Sequence, residues 1–277
     1  MLINRILTSI MLVLVLLISF KNYYFFAILL TLTFSLLLIE WLSLTIYNNH
    51  NYDIHIFIIS ILLMFYIFYC FEKNNILVPL IYNFVIPLVV LIWLFIITPY
   101  ILYIIISKKK YKLNLFWSFF ALPACVSAWF SIIYFYQQFG GFFIVTLFSV
   151  VWSVDILAYF IGKLFGGYNI TYNISPNKTI SGYISGILGS IICIYIHTFF
   201  NGSFGFFLFE KYSLKITLII AVFLGFISII GDLFESLLKR CKDCKDSGKL
   251  LPGHGGIYDR LDSILPIAPI AIILCGV

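Results

Sequence analysis

Long apolar blocks separated by short polar intervals run through this chain from one end to the other. A helix that crosses a bilayer needs about 20 apolar residues. Nine blocks come close enough: 5–20, 24–47, 54–71, 79–106, 115–136, 141–165, 183–200, 214–231 and 259–277. The pattern predicts an all-α, polytopic integral membrane protein with about nine transmembrane helices. Little more than Lys21 and Asn22 divides the first two blocks. The fourth is long and carries Pro87 and Pro99, so a kink or tilt is expected there. The first block follows Arg5, and no small-x-small cleavage pattern follows it. It reads as a retained membrane helix rather than a leader. The expected organisation is one membrane domain, 1–277, with N-terminal helices in 1–136 and a C-terminal part, 141–277, where the polar motifs gather.

Composition supports lipid as the main solvent. The chain is 63% hydrophobic and 10% charged, with a mean hydropathy of +1.10. Globular domains are nearer to about 25% charged. The polar intervals also alternate in charge. One set holds Arg5, Lys108, Lys109, Lys110, Lys112, Lys163, Lys178, Lys239, Arg240, Lys242, Lys245, Lys249 and Arg260. The other holds Lys21, Lys73, Lys211 and Lys215, so the 17 basic residues divide 13 against 4. The positive-inside rule makes the first set cytoplasmic. The expected location is the cell (inner) membrane, multi-pass, with the N-terminus inside. Of six cysteines, four lie in apolar runs, and Cys241 with Cys244 lacks the second pair that a zinc site wants.

Three polar clusters fall on the side expected to face the cytoplasm. Charges at membrane depth are costly and usually carry a task. Asp155 is followed by Tyr159, Gly162 and Gly166 at offsets that share one helix face, where glycine permits close approach. Ser175, Pro176, Asn177, Lys178 and Thr179 form a loop that could hold a phosphate or simply turn the chain. The third cluster is richest. Asp232, Ser236, Lys239 and Arg240 share a face of a helix leaving the eighth block. Lys245 and Asp246, the turn Pro252-Gly253-His254-Gly255-Gly256, and then Asp259, Arg260 and Asp262 follow. Carboxylates at the bilayer edge suit a hard cation such as Mg²⁺. The cations beside them suit polyphosphate. A positive-inside anchoring loop would explain the lysines, but not three aspartates at helix ends among them.

These residues resemble one family. Ser236 to Arg240, Lys245 to Gly248 and Leu251 to Asp262 match the pattern S-x-x-K-R-x4-K-D-x-[GSA]-x2-[LIF]-P-x-H-G-G-x-x-D-R-x-D at every fixed position. That pattern is similar to the signature of phosphatidate cytidylyltransferases, also called CDP-diacylglycerol synthases. Gly231-Asp232 with Glu235-Ser236, Asp155 to Gly166, Ser175 to Thr179, and Arg5 with Thr8 resemble further family motifs. Ile180 and Ser181 depart from the family's aromatic and Glu or Gln, and Gly167 to Ile170 lack its basic residues and His.

The resemblance implies transfer of a cytidylyl group from CTP to phosphatidate, giving CDP-diacylglycerol and pyrophosphate, at a site facing the cytoplasm. It implies Mg²⁺, with a second cation allowed, and metal ligands at Asp232, Asp259 and Asp262. Asp232, Ser236, Lys239, His254 and Asp259 are the implied catalytic group. Ser175, Lys178, Thr179, Arg240, Lys245, Arg260 and Asp155 are the implied substrate contacts. The implied partners are CTP, phosphatidate in the bilayer and anionic lipid. A homodimer is an assembly the family allows, and nucleic acid is not expected as a partner. A transporter coupled through Asp155 would show two similar halves with paired interrupted helices, and none is visible.

Overall fold

The computed structural model describes residues 11, 14–46, 53–73, 77–107, 115–248, 250 and 255–276. Arg5, Thr8, His254 and the lysines of 108–112 lie outside them. All regular elements are helical, and no strand occurs among the described residues. We number the helices α1 (Tyr23–Thr45), α2 (Asp53–Glu72), α3 (Leu77–Ser107), α4 (Leu115–Phe165), α5 (Ile180–His197), α6 (Phe204–Cys241), α7 (Tyr258–Leu261) and α8 (Ile264–Cys275). Five of them, α1, α3, α4, α5 and α6, are long and apolar enough to cross a membrane. The first expected block is described only as a short helical stretch, 14–19.

Local chemistry sets the ends. Asn22 caps α1 by accepting from the backbone N–H groups of Tyr24 and Phe25. Thr179 and Ser203 do the same for α5 and α6. The expected disturbance of α3 takes the form of two π-helical turns, Ile81–Val85 and Trp93–Ile97, each just ahead of a proline. Proline supplies no N–H and crowds the preceding turn. A wider turn absorbs this. The Thr98 hydroxyl donates to the Trp93 carbonyl at 2.8 Å, adding a bond at the second of them.

The fifth and sixth expected blocks are the two halves of α4, broken at Gly140, where φ is 79°. The eighth is longer than expected. After a break at Ser213, α6 runs without interruption to Cys241, so Asp232 to Arg240 do share a helix. The ninth is shorter. Its regular part, Ile264–Cys275, has 12 residues and spans about 18 Å at 1.5 Å per residue. Its last carbonyls are held by Lys211 and Tyr212.

The bundle has two chemically distinct ends. At one, Tyr23 donates to Glu72 at 2.7 Å, Gln137 donates to Tyr23, and Lys211 meets the end of α8. At the other lie Glu40, Lys178 and the segment from Asp232 to Asp262. Glycines bring α4 and α5 together, with Gly162 against Gly182. A Cβ on Gly189 would lie 2.6 Å from the Ser153 carbonyl oxygen. Gly189→Val should therefore cost about 1–3 kcal/mol through overpacking. The check is a lower unfolding midpoint in detergent.

Candidate active site

Close approach of α6 and α8 creates the site. A Cβ on Gly231 would lie 2.7 Å from the Asp262 carbonyl and 2.9 Å from Ser263 Cα, so only glycine lets the two backbones meet here. Ser263 then donates to the Ser228 carbonyl at 2.9 Å. The contact sets Asp232, on α6, beside Asp262, just beyond α7. Carboxylate oxygens of Asp232, Glu235 and Asp262 all lie within 4.8 Å of one another.

Glu235, which the motif resemblance includes with Ser236 without giving it a role, belongs to this cluster. Its side chain is 1% exposed, and its Oε1 has no hydrogen-bond partner. A buried carboxylate oxygen in that state asks for a cation. Lys239, one turn on, reaches Glu235 Oε2 at 2.5 Å and Asp259 Oδ1 at 2.6 Å. Lys178 pairs with Asp232.

Asp259 is held differently from the other carboxylates. Its Oδ2 accepts from the Ser247 N–H at 3.0 Å, the Ser247 hydroxyl at 3.1 Å and the Gly256 N–H at 2.8 Å. Lys239 and the Gly256 N–H stabilise its charged form. Burial pulls the Lys178 ammonium down from its usual range.

These groups open onto a cavity of about 1080 Å³. Asp155, Lys178, Asp232, Arg260 and Asp262 line its charged wall, while Leu16, Leu29, Phe148 and Trp152 line an apolar one. Helix α4 continues ten residues past Asp155, and α6 nine past Asp232.

The remaining expected residues are placed as follows. Ser236 is buried one turn beyond Asp232. Ser175, Lys178 and Thr179 line the cavity, and the Thr179 hydroxyl also caps α5. Arg240 faces away, donating to the Ile174 and Cys244 carbonyls. Lys245 is exposed on the loop. Ser181, one of the departures from the family pattern, donates to the Gly166 carbonyl and so ties α5 to the end of α4.

The donor set fits a hard divalent cation. Asp155, Asp232, Glu235, Asp259 and Asp262 face Lys178, Lys239 and Arg260, with Lys163 two turns beyond Asp155. Negative charge is in excess around the carboxylates. Opposite oxygens on one Mg²⁺ stand about 4 Å apart, close to the observed spread.

A family model described as the cytidylyltransferase family matches residues 3–277, and the chain belongs to that family. Among proteins it resembles is a phosphatidate cytidylyltransferase of Staphylococcus haemolyticus, 35% identical over 174 residues, 62% of this chain and 64% of that one. Another, of Bacillus subtilis, is 44% identical over 133 residues, 48% of this chain and 47% of that one. A third, of Brucella abortus, is 41% identical over 135 residues, 48% of this chain and 46% of that one. The chain thus spans about half to just under two thirds of the length of these curated relatives.

Lys239 shields two buried carboxylates. Lys239→Met should cost about 3–5 kcal/mol, the usual penalty for breaking a buried ion pair from one side. A denaturant midpoint in detergent that stays at the parent value would refute this.

Proposed function

We propose that the protein transfers a cytidylyl group from CTP to phosphatidate, yielding CDP-diacylglycerol and pyrophosphate. The observation that carries the reading is the single cavity that joins a charged wall to an apolar one. A triphosphate needs the first and a lipid tail needs the second. Membership of the cytidylyltransferase family, and the names of the relatives, support the same assignment.

In this reading Asp232, Glu235 and Asp262 hold a divalent cation, and Asp259 serves mainly to orient Lys239. Mg²⁺ bound there supplies charge neutralisation for the triphosphate and for the departing pyrophosphate. Lys178 exchanges its Asp232 partner for a phosphate oxygen once the cation is bound. Arg260, with its fixed fork of donors, binds a second phosphate. The attacking phosphate oxygen of the lipid is already anionic, so no strong base is required. Positioning and charge stabilisation supply most of the rate. Ser175 and Thr179 border the phosphate subsite.

The charged end of the bundle is read as cytoplasmic, with about nine membrane segments and the N-terminus inside. The excess of lysine and arginine there draws both anionic substrates to the cavity.

Purified protein supplied with Mg²⁺, CTP and phosphatidate should release pyrophosphate, and chelation by EDTA should stop it. Asp232→Asn should lower turnover by at least about 100-fold, as expected for loss of a group that orders phosphoryl charge. Parent-level turnover by that variant would remove the metal assignment. Uptake of a solute into liposomes without CTP consumption would favour a transporter instead.

A further inference from the structure

Glu40 is the one acidic residue of α1, in a helix otherwise apolar along almost its whole length. Its side chain is 5% exposed, and it does not line the cavity. A buried carboxylate is costly unless donors surround it. The donors come from the far end of the chain. Oε1 accepts from the Ile257 N–H at 3.1 Å. Oε2 accepts from the Tyr258 N–H at 2.8 Å and from the Ser247 hydroxyl at 2.8 Å.

The loop is shaped around this carboxylate. A Cβ on Gly248 or Gly256 would collide with it. The next residue of α1, Trp41, stacks on Tyr258 with ring centroids 5.1 Å apart and planes 9° apart. Lys242 donates to the Ser43 carbonyl, fixing the start of the same loop to the same helix.

The groups that Glu40 holds are the ones that hold Asp259. Ser247 donates to both carboxylates, and Gly256, which donates to Asp259, immediately precedes the two amides bound to Glu40. Asp259 in turn orients Lys239, and Lys239 reaches Glu235. An unbroken series of polar contacts therefore links α1 to the acidic cluster.

We propose that Glu40 is a positioning residue for divalent-cation binding: it fixes Ser247, Ile257 and Tyr258 so that Asp259 and Lys239 keep Glu235 aimed at Asp232 and Asp262. The inference rests on the reading of that cluster as a cation site. Its chemistry demands a carboxylate. Three donors converge on two oxygens, and a glutamine would set its own NH₂ against at least one of them.

The test is binding of Mn²⁺, as a paramagnetic substitute for Mg²⁺, to the full-length protein in detergent. It is followed by electron paramagnetic resonance alongside pyrophosphate release. Glu40→Gln should weaken Mn²⁺ binding by about 10–100-fold, the usual effect of losing an outer-sphere partner. It should raise the Mg²⁺ concentration for half-maximal release equally, with turnover recovering at high Mg²⁺. Ser247→Ala, which removes the hydroxyl shared by Glu40 and Asp259 and leaves Glu40 paired to two amides, should shift both measures in the same direction. It keeps the test decisive if the Gln variant fails to fold. Parent-like Mn²⁺ affinity in a folded variant at either position overturns the proposal. A parent protein that binds no Mn²⁺ removes it together with the cation reading. A parent that binds Mn²⁺ but leaves CTP intact sinks the proposed reaction, while the positioning role stands or falls on the variants' affinities.

Discussion

The structure depends on how a lipid-solvated bundle tolerates so much negative charge in one place. Lys239 is the centre of the answer. Its ammonium lies between Glu235 and Asp259, both largely buried, at 2.5 and 2.6 Å. Without it, two carboxylates from different helices would repel across a gap from which water is excluded. With it, they become the fixed points around which α6, Ser247, Gly256 and α7 are arranged. Lys178 offsets Asp232 in the same way from a loop between α4 and α5. Of the chain's 11 acidic residues, eight lie at this end, and six of those gather around the cluster: Glu40, Asp155, Asp232, Glu235, Asp259 and Asp262. The remaining helices supply the apolar frame that holds them together.

Such a site stores its own demand for a ligand. The unpartnered oxygen of Glu235 and the close approach of Asp232 and Asp262 to it leave negative charge in excess of the cations beside it. On the proposed reading a divalent ion would relieve that excess, and phosphates would pair with the cations it frees from the carboxylates. Binding of either ligand would then favour the other.

Much of this was legible in the order of residues. The apolar blocks announced the helices. The prolines of α3 announced a disturbance, though its form as two π turns depends on how neighbouring carbonyls rearrange. The offsets of Asp232, Ser236, Lys239 and Arg240 correctly placed them on one helix. They could not show that Arg240 turns back to the Ile174 carbonyl while Lys239 turns inward. Asp259 and Asp262, three residues apart in one motif, look equivalent as letters. In three dimensions one is surrounded by donors and the other faces two carboxylates, a distinction made by Gly256 and Gly231. Glu40 was the least legible. Nothing in an apolar block some 200 residues away signals that its partners are amides of the motif loop.

Helix α8 has a quieter consequence. Twelve residues join the acidic turn to the carbonyls gripped by Lys211 and Tyr212 at the opposite end. Both termini are fastened, so the helix works as a measuring rod. Its residue count, rather than any loop, sets the distance between the acidic turn and the opposite end of the bundle. One residue added would shift the centre by about 1.5 Å and rotate it by about 100°. Ten of its twelve residues are buried, so packing holds its faces while its length fixes the spacing between its two ends.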